Sequence, residues 1–202
     1  MNKSMRRTNI SEDIILKMNS IREKVREEEW SPEKTAAEIL KNCDFLDMNQ
    51  PIFLKEIVDA FQINTYIQEY DDDTLEGFIL VSPKLWENYG IDRIISVNEN
   101  ISEKQRRFVM AHELGHYLFD CGQSSEYVDT YVVNHHESEI EKRANLFAAS
   151  LLMPKEMFVN AFLGAMKLDV NIKEFLSERF EIPEKSVLKR MDEIFGSVNR
   201  CI

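Results

Sequence analysis

The chain has 202 residues, a formal net charge of −11 and a pI of about 4.9. Its content of 44% hydrophobic and 10% aromatic residues is that of a folded globular protein, and the length allows one sizeable core. The acidic balance argues against a nucleic-acid surface, which is normally basic, and disfavours binding to anionic membranes, although it would suit a basic partner.

The three cysteines are scattered along the chain and lack CxxC spacing; they are Cys43, Cys121 and Cys201. This pattern favours a reducing cytoplasm over a disulfide framework. The N-terminus has two early arginines but no apolar stretch of signal-peptide length, and no apolar run approaches the ~20 residues of a membrane span. We therefore expect a cytoplasmic protein with no direct contact to membranes or nucleic acid.

Helical patterns dominate the first third of the chain. Apolar residues recur at helical spacing over 10–29, a second helix follows Ser31 and Pro32, and a third runs over 51–61. The middle of the chain changes to short runs rich in Ile, Val, Tyr and Phe, which predict strands. Three such runs indicate a small, mostly antiparallel sheet, at 64–70, 77–81 and 93–97.

Helices return after the predicted sheet. Ser102 opens a helix that runs to about Asp120, with Gln105 as a capping-box partner and Gly122 as a stop signal. A polar loop of about fifteen residues follows, and a second strong helix spans 138–152 before shorter helices complete the chain. The predicted class is α+β, with helices dominant.

The helix from Ser102 carries His112-Glu113-Leu114-Gly115-His116, an HExxH motif. Residues i and i+4 lie about 40° apart around a helix axis and ~6 Å along it, so two imidazoles can converge on one metal ion. Glu113 can then reach a metal-bound water and take its proton as the water attacks a carbonyl group. Such a short match also arises by chance, but the surrounding stretch VMAHELGHYLF is apolar, and polar residues buried there need a partner.

A catalytic zinc ion needs a third protein ligand and an open position. The extended pattern HExxHxxGxxH is excluded, because the chain has Phe119 and Gly122 where that pattern has glycine and histidine. Asp120 lies ~12 Å along the axis from His112, too far to complete a compact site. The remaining candidates are Cys121, His135, His136 and the glutamates of the next helix.

Glu141 is the best placed of these glutamates, because it lies on a second helix that can pack against the first. Asn145, four residues on, would share its face and could hydrogen-bond a ligating histidine. The same glutamate also fits a capping box with Ser138, in which it would only satisfy the helix N-terminus. From the spacing alone, the two interpretations are equally supported.

The stretches RRFVMAHELGHYLFD (106–120) and EKRANLFAASLLMP (141–154) together resemble the ImmA/IrrE family of metallopeptidases, and the resemblance covers about 36–195. It implies a zincin-like fold, with a small three-stranded sheet packed on the HExxH helix and helices around it. It also implies that Glu141, the glutamate of the E-x-x-A-N segment, is the third zinc ligand. One departure is Asp120, where the family often has a histidine.

The resemblance implies a function as well. Characterised members of the family cleave helix-turn-helix repressors, so we expect a cytoplasmic regulatory zinc endopeptidase linked to mobile elements, phage or stress responses. His112, His116 and Glu141 would hold the zinc ion, and Glu113 would act as base and then as proton donor. Manganese and iron also bind such sites. The alternative is a zinc-stabilised, non-proteolytic interaction module of a toxin–antitoxin-like pair, against which the intact Glu113 argues.

The group that stabilises the oxyanion is not specified by the motif. Tyr131, His135 and His136 are candidates, since they lie between the two predicted metal-bearing helices, although loop residues often have no such role. One strand, at 76–81 or 93–97, could border the cleft with a free edge to which an extended substrate adds.

The expected layout is an N-terminal helical extension over 1–35 and an ImmA/IrrE-like metallopeptidase domain over 36–202. The C-terminal helices, 155–202, would pack onto that domain. Residues 171–196 have helix-turn-helix spacing but carry five basic and six acidic residues, which disfavours DNA reading. We therefore interpret them as a packing element.

Overall fold

The computed structural model describes residues 3–4, 10–42, 50–122, 127–132, 138–168 and 170–196, with the backbone alone at 3–4 and 127–132. The helices in these residues are α1 (Glu12–Glu27), α2 (Pro32–Asn42), α3 (Leu54–Ala60), α4 (Pro83–Tyr89), α5 (Glu103–Phe119), α6 (Glu139–Leu152), α7 (Lys155–Leu168), α8 (Ile172–Phe180) and α9 (Glu184–Phe195). The strands are β1 (Lys3–Ser4), β2 (Asn64–Gln68), β3 (Leu75–Val81), β4 (Arg93–Asn98) and β5 (Tyr127–Val132). The predicted α+β class is confirmed.

The strands form one mixed sheet in the order β1-β2-β4-β3-β5. β2 and β4 are parallel, whereas β1 with β2, β3 with β4 and β3 with β5 are antiparallel. The three predicted strands are present as β2, β3 and β4. The expected number of three strands is corrected, because β1 and β5 extend the sheet. Three of the four strand pairings in the described residues are antiparallel, and the pairing of β2 with β4 is parallel, which makes the sheet mixed.

The edges of the sheet in the described residues are β1 and β5. The prediction that 76–81 or 93–97 has a free edge is therefore wrong, because both strands are paired on both sides. β5 lies within the stretch that the sequence predicts to be a polar loop. An edge strand pairs on one side only and tolerates polar side chains, which weakens its hydrophobic signal. The part of the chain between α5 and α6 therefore adds a strand next to β3.

α5 packs on one face of the sheet, against β3 and β4. Its approach depends on Gly77 of β3, because a Cβ atom there would lie 2.5 Å from Cγ1 of Val109. At the start of α5, Ser102 Oγ accepts from the backbone N–H of Gln105 at 3.2 Å. The side-chain amide of Gln105 donates to Glu76 Oε2 at 2.6 Å, so it does not complete the predicted capping box.

The N-terminal helix joins the same core as the rest of the described chain. Met18, Ile21 and Val25 of α1 are buried in the hydrophobic cluster that also contains the apolar residues of α5 and α6. α1 contacts α2, α3 and α5. The division of the chain at residue 35 stays a prediction.

The C-terminal helices contact both one another and the helices before them. Phe158 of α7 stacks on Phe180 of α8, with ring centroids 5.7 Å apart. On α9, Arg190 Nε donates to the carbonyl of Met153 at 3.2 Å. Among the described residues, no single helix has the length and composition to cross a membrane, and α6 with α7 meets that test only as a pair bent by 63°.

Candidate metal centre

Three side chains from two neighbouring helices converge on one point. On α5, Nε2 of His112 lies 2.8 Å from Nε2 of His116. On α6, Glu141 places Oε2 3.2 Å from Nε2 of His112 and Oε1 3.4 Å from Nε2 of His116. The donor atoms of these three side chains all lie within 4.8 Å of one another. In the described part of the chain, they form a group that could hold a metal ion.

The group is almost completely removed from solvent. His112 and Glu113 are 0% exposed, His116 is 1% exposed and Glu141 is 8% exposed. Ionisable side chains are rarely this buried unless they have partners. The burial follows from the position of α5, which lies between the sheet and α6.

Both histidines are oriented through their other ring nitrogen. Nδ1 of His112 lies 3.1 Å from Oδ1 of Asn145, and Nδ1 of His116 lies 2.9 Å from Oδ2 of Asp120. These partners are oxygen acceptors, so a proton on Nδ1 of each ring satisfies them and leaves the Nε2 lone pair for a metal ion. Two Nε2 lone pairs at 2.8 Å repel each other unless a proton or a metal ion lies between them.

The protonation states also suit a metal site. Burial lowers the pKa of His112, and although the hydrogen bond to Glu141 opposes this, the net shift is downward. Burial raises the pKa of Glu141, but hydrogen bonds to His112 and His116 outweigh it and hold that pKa well below its usual range. At neutral pH, His112 is therefore a neutral imidazole and Glu141 is a carboxylate, which are the forms that bind metal.

The spacing of the donor atoms fits a tetrahedral ion. Zn–N and Zn–O distances near 2.0–2.1 Å place the ligand atoms of a tetrahedral zinc about 3.3 Å apart. The two distances from Glu141, 3.2 and 3.4 Å, agree with this value, and the 2.8 Å between the histidines would have to widen by about half an ångström. The three residues therefore fit a divalent ion, and two nitrogens with one oxygen suit zinc as well as manganese or iron.

The backbone and the carboxylate of Glu141 have different partners. Its backbone N–H donates to Oγ of Ser138 at 3.2 Å, so Ser138 caps α6. Its carboxylate is not at the cap and lies against His112 and His116. The capping interaction therefore holds the first turn of α6 while the side chain faces the histidines.

Glu113, the predicted base, lies beside His112 on α5, and both of its carboxylate oxygens are buried. Its charge also acts on Tyr70, whose hydroxyl donates to Oγ of Ser96 on β4 at 2.8 Å. Burial raises the pKa of Tyr70 to about 12, partly opposed by the hydrogen bond to Ser96, with a smaller raising contribution from Glu113.

The other predicted site residues cannot be placed at this centre. The backbone of Tyr131 belongs to β5, and its side chain lies outside the described residues, as do His135 and His136. Their oxyanion role stays a prediction. Cys121 is buried and carries a free thiol, whereas Cys43 and Cys201 lie outside the described residues.

Sequence reasoning missed two residues next to the centre, Asp120 and Arg143. Asp120 accepts from His116 on one oxygen and from Arg143 of α6 on the other. The signal was available, because Asp120 is four residues after His116 and therefore on the same face of the helix. It was excluded as a metal ligand by its distance from His112, which does not bear on a hydrogen bond to His116.

The family model of the IrrE N-terminal-like domain, Peptidase M78, matches residues 58–192. This chain belongs to that family. The matched residues include all three converging side chains, and the family is one of metallopeptidases, which agrees with a centre compatible with metal binding. The predicted relationship to the ImmA/IrrE family is confirmed.

Several solved structures match this chain, one of them at low sequence identity. The IrrE-like protein is similar to a Mycobacterium tuberculosis transcriptional regulator, with 17% sequence identity and a TM-score of 0.48. The similarity covers 87% of this chain and 51% of that one, so this chain spans about half the length of the regulator. No curated protein matches the sequence.

Proposed function

We propose that this chain is a zinc-dependent regulatory endopeptidase that hydrolyses a peptide bond in a protein substrate. His112, His116 and Glu141 hold the metal ion, and Glu113 is the general base. The observation that carries the proposal is the convergence of two Nε2 atoms and one carboxylate at 2.8–3.4 Å in a buried site. Three protein ligands are typical of a catalytic zinc, because a fourth position stays open for water or substrate.

The side chains of this site have different roles in hydrolysis. A bound zinc ion supplies a Lewis acid that polarises the scissile carbonyl group and lowers the pKa of water. Glu113 takes the proton from the attacking water on a carboxylate oxygen and passes it to the amine nitrogen of the leaving peptide. Asn145 accepts a hydrogen bond from Nδ1 of His112 and thereby keeps Nε2 of that ring directed at Glu141.

We propose a helix-turn-helix repressor as the substrate. Membership of the ImmA/IrrE family supports this class, because characterised members cleave such proteins. The net charge of −11 supports it too, since DNA-binding proteins are basic and an acidic enzyme attracts them. The reaction takes place in the cytoplasm, where such repressors act.

A zinc-stabilised interaction module without proteolysis is the competing function. A structural zinc site normally has four protein ligands, whereas three side chains converge here among the described residues. A structural site also has no use for Glu113, a buried glutamate directly beside a ligand. These two observations favour the enzyme.

The test uses the full chain and a purified helix-turn-helix repressor, sought first among the genes next to its own. The wild-type protein with zinc should cleave the repressor, and a chelator should stop cleavage. Glu113→Gln should keep zinc but lose activity by at least about 100-fold, because a general base contributes that much or more. Glu139→Gln is the matched control, because Glu139 is an exposed glutamate at the start of α6.

The outcomes separate the two functions. Cleavage by Glu113→Gln at the wild-type rate would show that the proposed mechanism is wrong. A stable complex with the repressor, with zinc bound and no cleavage, would establish the interaction module instead. Metal analysis of the purified protein decides between zinc, manganese and iron.

A further inference from the structure

Asp120 lies where α5 ends, between a histidine of the metal centre and an arginine of the neighbouring helix. Its Oδ2 is 2.9 Å from Nδ1 of His116, and its Oδ1 accepts from Nη2 of Arg143. The Asp120 side chain is 8% exposed. The carboxylate is thus fixed from both sides and is withdrawn from solvent.

This arrangement determines which nitrogen of His116 can bind a metal ion. A carboxylate at Nδ1 accepts a hydrogen bond from the ring N–H, so that Nε2, 3.4 Å from Oε1 of Glu141, keeps its lone pair for a metal ion. A negative partner also makes the imidazole a stronger base and a better ligand. His112 differs, because its Nδ1 faces the neutral amide of Asn145.

We propose that Asp120, held by Arg143, is a positioning residue that orients His116 and strengthens its bond to the metal. The inference rests on the proposed function, because it takes the three converging side chains to be metal ligands. Asp120 itself does not touch the ion, since its two oxygens are engaged by His116 and Arg143.

Arg143 links this positioning to α6, the helix that also supplies Glu141. Its guanidinium lies over the ring of Phe119, 5.4 Å from the ring centroid, and from there reaches Asp120. Each histidine of α5 is therefore connected to α6 through its Nδ1 partner. His112 is connected through Asn145, and His116 is connected through Asp120 and Arg143.

A purely structural role for Asp120 is disfavoured by its position. It is the C-cap residue of α5, where the partial negative charge of the helix end repels a carboxylate. Arg143 is 40% exposed, and ion pairs with one solvent-exposed partner contribute little to stability. The contribution of the pair should therefore appear in metal binding and not in the stability of the metal-free fold.

The experiment measures zinc affinity of the full chain by competition with a chromophoric chelator. Asp120→Asn keeps the size of the side chain but removes its charge, and it should weaken zinc binding about 10- to 100-fold. Arg143→Gln should weaken it less, and the double variant should be no weaker than Asp120→Asn, because Arg143 acts through Asp120. Asp120→Glu should recover part of the affinity.

Two further measurements distinguish positioning from folding. Cobalt(II) replaces zinc and reports the ligand field, so its visible spectrum should shift in Asp120→Asn. Denaturant unfolding of the chelator-treated protein should give an Asp120→Asn variant at least as stable as wild type. Glu193→Gln, which breaks the Arg190–Glu193 ion pair on α9, is the matched control and should change neither metal readout.

The results distinguish failure of the positioning role of Asp120 from failure of the proposed function. Wild-type zinc affinity in both Asp120→Asn and Arg143→Gln would overturn the positioning role and leave the proposed function intact. A metal-free Asp120→Asn protein that is less stable than the metal-free wild type would also overturn it. A wild-type chain that binds no zinc would overturn the proposed function and this inference together.

Discussion

A Cβ atom on Gly115 would lie 3.1 Å from Cα of Ala144, so α5 and α6 approach each other closely where α5 has no side chain. Glu141 lies three residues before Ala144, and Asn145 lies one residue after it. The close contact therefore brings both polar side chains of α6 within reach of the histidines on α5. Gly115, the glycine of the HExxH segment, therefore allows the close approach of α5 and α6, a role that the motif alone does not indicate.

The first prediction concerns Gly115→Ala. Alanine favours a helix over glycine by about 1 kcal/mol, but here its methyl group would have to move α6 by a few tenths of an ångström. We expect weaker zinc binding and none of the normal gain in the free energy of unfolding. Gly164→Ala on α7 is the control, because a Cβ atom there has no heavy atom within 4 Å.

In the control, denaturant unfolding should show a gain of about 1 kcal/mol with unchanged zinc affinity. The prediction for Gly115→Ala is contradicted if that variant gains the same stability and binds zinc like wild type.

The second prediction separates the two contacts of Glu141. Glu141→Gln keeps the cap but removes a charged ligand, so zinc affinity should fall by more than about 100-fold, beyond the effect of losing an outer partner. Ser138→Ala removes the cap and should cost about 1 kcal/mol of stability with little change in zinc binding. Zinc competition and denaturant unfolding on both variants give the answer. Zinc binding that survives in Glu141→Gln would assign the carboxylate no ligand role.

The third prediction concerns Asn145, whose Oδ1 lies 3.1 Å from Nδ1 of His112. Asn145→Ala frees the ring to rotate or change tautomer, and we expect about a 10-fold loss of zinc affinity. Asn160→Ala, at an exposed position of α7, is the control and should bind zinc like wild type. Equal affinities in the two variants would show that Asn145 does not orient the histidine.

The fourth prediction concerns pH. The pKa of His112 in the folded, metal-free protein is below the ordinary value of 6.5. As the pH falls, the His112 imidazole of the unfolded chain is therefore protonated before that of the folded protein. The free energy of unfolding should therefore fall as the pH drops below about 6.5. Glu141 acts with the same sign at lower pH, because its pKa is lowered from 4.5 and stability is lost as it becomes protonated.

Denaturant unfolding of chelator-treated wild type and His112→Asn at several pH values between 7.5 and 5 tests this dependence. The wild type should lose stability more steeply than the variant just below pH 6.5. If the wild type instead gains stability relative to the variant on acidification, His112 is charged and paired with Glu141 in the folded state.

Much of the site was predictable from sequence, because its signals are local. HExxH places two imidazoles on one helix face through the helical period alone, and the caps at Ser102 and Ser138 mark where both helices begin. The order of the strands was not predictable, because β4 lies between β2 and β3 and pairs with both of them. Such pairings depend on contacts between distant parts of the chain, on which periodicity gives no information.

The contact of Asp120 with His116 was missed for a different reason. Its spacing of four residues was visible, but the role of an outer partner depends on Arg143, which lies on another helix. The ligand role of Glu141 could be argued only through family resemblance, because its spacing also fitted a cap. In both cases, the missing information was how closely α5 and α6 approach each other.

β5 lies in the chain between α5 and α6, the two helices that carry the proposed metal ligands, and this order has a consequence for folding. An ion held by His116 and Glu141 would act as a cross-link that closes a loop containing this edge strand. Closing a loop removes chain entropy from the unfolded ensemble, so metal uptake should favour the state in which β5 is paired with β3. Metal availability would then affect both peptide hydrolysis and the fraction of molecules in which β5 is paired with β3.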